Sequence, residues 1–318
     1  MTGAGSSWPS RVAVVGAGTM GVGIAHVFAA SGIPTVLVDA TPELSTAARD
    51  RAIELLSRLE QAGNVGGGTT ATAAPHLSAA PSIADAVRGA DLVVEAVVER
   101  SAAKLAVYAE IEAAAGDAVI ATNTSSIPIA ELAAGLRSPG RFLGVHWFVP
   151  PLLVPCVEVI RTPSTDDGVV DIVVEALTRL GKTPVVVGDG PGFVANRIQF
   201  AMFREAARIV EEGIAGPEEV DEVVRSSFGF RLPFFGPFTI ADMAGLDVYA
   251  DIYETLERGL GPGFSAPGVL QEHVERGEFG VKSGRGFLEL SQAQGDELID
   301  RRNRAYVALA ELRRDIES

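Results

Sequence analysis

Residues 11–39 read RVAVVGAGTMGVGIAHVFAASGIPTVLVD. Val12 to Val15 form an apolar, β-branched run of strand length. Gly16, Gly18 and Gly21 follow in G-x-G-x-x-G spacing. The periodicity of Ile24, Ala25, Val27 and Phe28 predicts a helix that stops at Ser31-Gly32. Thr35 to Val38 then predicts a second strand, ending on Asp39. The stretch is a βαβ unit with an acidic residue at the remove a dinucleotide site needs. Gly16 permits the tight turn, Gly18 lets backbone approach a pyrophosphate, and Gly21 lets the helix pack near the sheet. Thr19 and Met20 open the helix, whose free N–H groups and positive dipole end face the phosphates. Asp39 accepts from a ribose diol and repels a 2′-phosphate, and Ala40, Thr41 and Pro42 bring no cation after it. These residues predict a dinucleotide site that prefers NAD to NADP.

Working outward, strands and helices alternate. Thr41 to Gln61 has helical spacing, with Arg49, Arg51 and Arg58 read as a solvated face. Gly63 to Ala74 reads as a mobile surface loop. Helices are predicted at Ile83 to Val87, Lys104 to Ala115, Ile129 to Gly135 and Asp167 to Leu180. Strands are predicted at Asp91 to Glu99, Ala118 to Thr122, Phe142 to Val145, Val157 to Ile160 and Pro184 to Val187. This alternation predicts an α/β fold with a Rossmann-type doubly wound sheet. Composition shifts at 188–192, GDGPG, and beyond it every periodic stretch is helical, with Thr239 to Gly259 read as one helix. The predicted organisation is an NAD-binding domain over 1–188 and an all-α domain over 189–318 for substrate and dimerisation. The helix faces of the second domain carry more apolar surface than one small bundle covers, which predicts a homodimer.

A chain of 318 residues has room for two cores. No apolar run approaches the roughly 20 residues of a membrane span. The opening MTGAGSSWPS is short and polar and reads as a disordered lead-in without signal-peptide features. The single cysteine, Cys156, excludes an internal disulfide and fits a reducing cytoplasm. The net charge of −15 argues against nucleic acid and anionic membranes as partners. Lysine occurs only at 104, 182 and 282. A small anionic ligand is therefore held by local geometry and a few arginines, against the overall field.

Four polar residues stand where turns leave strands or enter helices: Ser125, His146, Glu158 and Asn196. Hydride removal from a secondary alcohol needs a base for the hydroxyl proton, and histidine titrates in the useful range. A carboxylate on the other ring nitrogen fixes the tautomer, while Ser and Asn hold the reacting oxygen. Glu158 is the most telling, because a carboxylate between Val157 and Val159 is costly to bury without a partner. Taken singly, His146 also reads as structural, Ser125 as a turn residue and Asn196 as a helix cap.

Together these landmarks resemble the L-3-hydroxyacyl-CoA dehydrogenase family. They stand as VVGAGTMGVGIA (14–25), DLVVEAVVE (91–99), ATNTSSI (121–127), GVHWFVPP (144–151), VEVIRTP (157–163), GKTPVVVGDGPGFVANR (181–197), GPFTIADMAGLD (236–247) and GVKSGRGF (280–287). The likeness runs in order from Arg11 to about Leu290. It implies the two-domain fold, NAD, a homodimer, and a His146–Glu158 catalytic pair assisted by Ser125 and Asn196; no metal site is expected. It places Glu99 and Lys104 near the nicotinamide and its ribose, and Asn123 among the cofactor contacts.

The chain departs from the family in places. Val149 stands where members have Asn, and Pro155 where fatty-acyl members have Lys. VPCVEV (154–159) and Arg231 in FRLPFFGPF (230–238) resemble the branch that oxidises free polar hydroxy acids, such as gulonate and carnitine dehydrogenases. There Arg231 clamps a carboxylate bidentately; otherwise it ends a helix. The leading expectation is oxidation of a short L-3-hydroxyacyl thioester. A free hydroxy acid comes second, and an NAD-binding protein with little turnover, on the strength of Val149, is the reading of another class.

Overall fold

A computed structural model describes residues 8–317. The elements run β1 (Val12–Val15), α1 (Thr19–Ala30), β2 (Thr35–Val38), α2 (Pro42–Gln61), α3 (Thr69–Ala73), β3 (Leu77–Ala79), α4 (Ile83–Val87) and β4 (Leu92–Glu95). Next come α5 (Ser101–Ala114), β5 (Val119–Thr122), α6 (Ile129–Ala133), β6 (Phe142–Trp147), β7 (Cys156–Arg161), α7 (Asp167–Arg179) and β8 (Thr183–Gly188). Helices α8 (Ala195–Glu211), α9 (Pro217–Ser226), α10 (Pro237–Ala244), α11 (Leu246–Leu260), α12 (Gly268–Glu275) and α13 (Gln292–Glu317) complete the chain. Contacts divide it into two units, Met1–Met202 and Phe203–Ser318.

The first unit is one eight-stranded sheet in the order β3-β2-β1-β4-β5-β6-β7-β8. Every pairing is parallel except β6 with β7. Its central strands are buried on both faces, as helix-covered parallel strands must be. Val12 and Val14 enter one apolar cluster, with Leu37, Leu92 and Val94. Ala13 and Val15 enter the other, with Val36, Val38 and Val93. The glycine turn after β1 is sterically exacting. Gly16 has φ +96°, and a Cβ there would lie 2.5 Å from the Ala96 carbonyl oxygen. A Cβ on Gly21 would lie 1.8 Å from the Gly16 carbonyl oxygen, so α1 approaches the turn only with glycine there.

The second unit is helical apart from isolated bridges at 280, 285 and 289. Ala241, Leu246 and Leu270 form its buried apolar cluster. Asp242, 1% exposed, accepts from the main-chain N–H groups of Phe287 (3.1 Å) and Leu288 (2.7 Å), stapling the glycine-rich turn to α10.

Four sequence readings need correction. The loop over 63–74 contains α3, whose start is held by Glu60 accepting from the N–H groups of Gly68 (2.5 Å) and Thr70 (2.8 Å). The short strand β3 follows it. The strand predicted to Glu99 stops at Glu95, because that carboxylate turns back onto the Val97 N–H (2.7 Å), leaving Glu99 in a turn. The helix predicted over 239–259 breaks into α10 and α11 at Gly245, φ +106°. The opening segment is partly fixed: Trp8 packs on the core, and Ser10 donates through N–H and hydroxyl to Asp91 at 2.7 and 2.6 Å. Met1 to Ser7 lie outside the described residues. Among the described residues, no helix is long and apolar enough to cross a membrane.

Replacing Gly245 by Ala forces a Cβ into a left-handed backbone and to 2.9 Å from Asp247 Oδ1. The expected outcome is a loss of more than about 1 kcal/mol, read as a lowered midpoint in urea unfolding followed by circular dichroism.

Candidate active site

The antiparallel β6–β7 pairing puts His146 directly opposite Glu158. Opposed residues project from the same face of a sheet, so the two side chains meet. His146 Nδ1 lies 2.7 Å from Glu158 Oε2, with both residues buried. An ionised carboxylate can only accept, so in the neutral imidazole Nδ1 carries the proton and Nε2 keeps its lone pair. The other oxygen, Oε1, accepts from the main-chain N–H groups of Val194 (3.0 Å) and Ala195 (2.9 Å) at the start of α8. Those N–H groups are aimed by Phe193, the one non-glycine residue with positive φ (+50°) among the described residues. Its ring packs 5.6 Å from the imidazole, and Phe148 packs at 4.6 Å.

A second His–Glu contact, His273 Nδ1 to Glu278 Oε2, has the same 2.7 Å length. Its carboxylate is shared with Arg276 (2.9 Å) and Arg285 (3.2 Å), so it reads as part of a turn-fixing ion cluster. Distance alone does not distinguish the two pairs; their surroundings do. His146 lines a cavity of about 490 Å³ with Met20, Glu99, Asn123, Ser125 and Asn196. Asn196 Nδ2 donates to the Ser125 carbonyl (2.9 Å), so α8 and the turn after β5 share one contact at the site. Asn123 Oδ1 accepts from the Trp147 N–H (2.9 Å).

The Ser125 turn rests on Glu99. Glu99 Oε1 accepts from the Thr124 hydroxyl (2.6 Å) and the N–H groups of Ser125 (2.8 Å) and Ser126 (3.1 Å). Its Oε2 lies 3.3 Å from Lys104 Nζ. Lys104 is 1% exposed and pairs at 2.8 Å with Glu95, which also accepts from the Tyr108 and Thr122 hydroxyls. Lys104 is not among the residues lining the cavity; its ammonium braces Glu99. Burial and the charge of Glu95 push the Tyr108 hydroxyl far up, so it stays a donor. For Glu99, burial pushes upward. The Thr124, Ser125 and Ser126 hydrogen bonds and the Lys104 charge outweigh it and hold the carboxyl below the ordinary glutamate range. Sequence reasoning missed Glu95, although an acid closing the apolar run LVVE carries the same signal as Glu158.

It also missed Lys182. This buried ammonium donates to the carbonyls of Pro151 (2.5 Å), Leu152 (3.2 Å) and Val154 (3.0 Å) and lies 5.9 Å from the Trp147 ring centroid. It braces the lip that follows β6. Val149 on that lip is 64% exposed and lines both the site cavity and a second, largely apolar cavity of about 280 Å³. The second cavity is bounded by Val22, His26, Leu55, Leu59 and Leu152, with Arg58 beside it. Arg231 belongs to the second unit, exposed in the turn between α9 and α10, with no carboxylate within 4 Å among the described residues. Burial and the charge of Glu158 push the Cys156 thiol up, consistent with an inert thiol.

The residues at the β1–α1 turn fit a dinucleotide. A Cβ at Gly18 would meet nothing within 4 Å, so the cradle is open there. The first turn of α1 carries no acidic side chain. Asp39 Oδ2 accepts from the Ala17 N–H (2.8 Å) and Oδ1 from the Ala40 N–H (2.7 Å), fixing the carboxylate at the end of β2.

Two family profiles cover most of the chain. Residues 11–190 match the 3-hydroxyacyl-CoA dehydrogenase NAD binding domain, and residues 192–290 match the 3-hydroxyacyl-CoA dehydrogenase C-terminal domain. A 3-hydroxybutyryl-CoA dehydrogenase of Mycobacterium tuberculosis is 39% identical over 281 residues, 87% of this chain and 97% of that protein. A 5-formyl-3-hydroxy-2-methylpyridine 4-carboxylate 5-dehydrogenase of Mesorhizobium japonicum is 36% identical over 302 residues, 94% and 96% of the two chains. Among solved structures, a 3-hydroxyacyl-CoA dehydrogenase of Archaeoglobus fulgidus superposes with TM-score 0.79 at 33% identity, over 95% of this chain and 99% of that one.

The lowered pKa of Glu99 has a measurable consequence. Its bonds to the 124–126 turn are fully present above the ordinary glutamate value of 4.5 and are lost as pH falls below it, through the depressed value. Hydrogen exchange at the Ser125 and Ser126 amides, corrected for intrinsic rate, should stay protected at neutral pH. It should accelerate only on acidification below that range.

Proposed function

Because the chain belongs to the 3-hydroxyacyl-CoA dehydrogenase family, an NAD-dependent group of oxidoreductases acting on CH–OH donors, we propose its substrate and the roles of its residues. The substrate is a short L-3-hydroxyacyl thioester, most simply 3-hydroxybutyryl-CoA, interconverted with its 3-ketoacyl form. The observation that carries this reading is the buried His146–Glu158 pair, opening on a cavity shared with Ser125 and Asn196. NAD, when bound, supplies the hydride acceptor. The Gly16–Gly21 turn, Thr19, Met20 and Asp39 hold it, with Glu99 and Asn123 at the cavity end. His146 Nε2 takes the hydroxyl proton, and Glu158 stabilises the resulting imidazolium while keeping the ring in one orientation. The Ser125 hydroxyl and the second N–H of the Asn196 amide donate to the reacting oxygen.

The apolar cavity beside Val149 favours a substrate with an apolar arm, hence the thioester. A free hydroxy acid or another carboxylate-bearing substrate is the second reading. Arg231 supports it as a cation without an ion pair among the described residues, as does the pyridine-carboxylate substrate in the name of the M. japonicum relative. We further propose a homodimer built on the second unit. Its buried apolar cluster is small, while Val223, Phe238, Ile252 and Val307 are each more than half exposed.

NADH formation by the purified protein, compared across L-3-hydroxybutyryl-CoA, free L-3-hydroxybutyrate, L-gulonate and L-carnitine, tests the substrate. The thioester is expected to lead. Preference for a free acid transfers the case to Arg231, and silence on all four leaves the low-turnover reading that Val149 supports. On the best substrate, His146→Gln should lower kcat by about 10³-fold or more while NADH affinity, read by fluorescence titration, holds within about twofold. Undiminished turnover would overturn the base assignment.

A further inference from the structure

The β1–α1 turn brings no cation of its own: residues 16–22 read GAGTMGV. A dinucleotide nevertheless places two phosphate charges there, in a chain of net charge −15. None of the three lysines serves. Lys104 is held between Glu95 and Glu99, Lys182 is buried among carbonyls, and Lys282 is paired with Asp247.

One cation does reach the turn, and it comes from α2. Arg51 Nη2 donates to the carbonyl oxygen of Ala17 at 2.8 Å. Ala17 lies between Gly16 and Gly18, and its N–H donates to Asp39. Arg51 and Asp39 thus grip the same residue through its two main-chain groups. The other arginines of α2 are occupied: Arg49 pairs with Asp50 and Arg58 with Glu54, both at 2.5 Å. Arg51 is exposed and has no carboxylate within 4 Å among the described residues. A guanidinium carries five N–H donors in a planar fork, so one bond to Ala17 leaves others for an anion. The neighbouring position, Gly18, is the open one.

We infer that Arg51 is a cofactor-binding residue that meets the phosphate on the adenosine side of the dinucleotide. The placement follows from Asp39, which reads the adenosine ribose and shares Ala17 with it. The guanidinium supplies locally the positive charge that the protein as a whole lacks. Arg51 is solvent-exposed, as the solvated-face reading of α2 has it, and in addition reaches the β1–α1 turn through Ala17.

The test separates an anion contact from loop shaping. NADH binding is followed by fluorescence in the wild type and in Arg51→Gln, with ADP and adenosine as competitors. Arg51→Gln should weaken NADH and ADP about tenfold, the scale of one charge-assisted contact, and leave adenosine within about twofold. Added NaCl should weaken ADP in the wild type more steeply than in the variant. Thermal melting checks that the exposed substitution leaves the fold intact. Equal losses for ADP and adenosine would overturn the inference in favour of a loop-shaping role, and unchanged ADP affinity would overturn it outright.

Discussion

Glu158 holds the first unit's working end together. One oxygen takes the imidazole of the strand opposite, and the other takes two main-chain N–H groups at the start of α8. A single buried carboxylate thereby joins β6, β7 and the helix leading toward the second unit. Its negative charge is met by three hydrogen bonds, the condition under which burying a carboxylate is tolerated. Shifting the β6–β7 register by one residue would send His146 and Glu158 to opposite faces and break their contact. The antiparallel pairing is the sheet's one break from parallel order, and it is what sets the two side chains face to face.

A second buried carboxylate does for the Ser125 turn what Glu158 does for His146. Glu95 is 0% exposed and accepts from Lys104, Tyr108, Thr122 and the Val97 N–H. Lys104 passes this support to Glu99, and Glu99 to the main chain of 124–126. Charges alternate along the line, so each carboxylate faces the ammonium between them. The turn is braced from beneath by Glu95 and Lys104, which do not line the cavity, through Glu99, which does.

Periodicity and residue chemistry made much of this legible. The βαβ unit could be read because glycine spacing and the terminal Asp39 are local demands of one turn. The core strands could be read because burial on both faces leaves continuous apolar runs. Glu158 stood out because a lone acid in such a run requires a partner. That partner could not be identified from spacing alone, since His146 and Glu158 meet through strand register. Arg51 and Lys182 were hidden for a similar reason: each acts through a main-chain carbonyl, and a carbonyl has no letter in the sequence. The break at Gly245 was overlooked because helical periodicity continues across it.

The lip after β6 is held in an unusual way. Lys182 replaces its hydration shell with three carbonyl oxygens, and those oxygens belong to whichever residues occupy 151, 152 and 154. The clamp is indifferent to their side chains. Mutations along the lip can therefore alter its outward chemistry while the backbone course, and with it the setting of Phe148 beside His146, is retained. Residues 151, 152 and 154 can thus change what the rim presents to a ligand while the His146–Glu158 geometry stays in place.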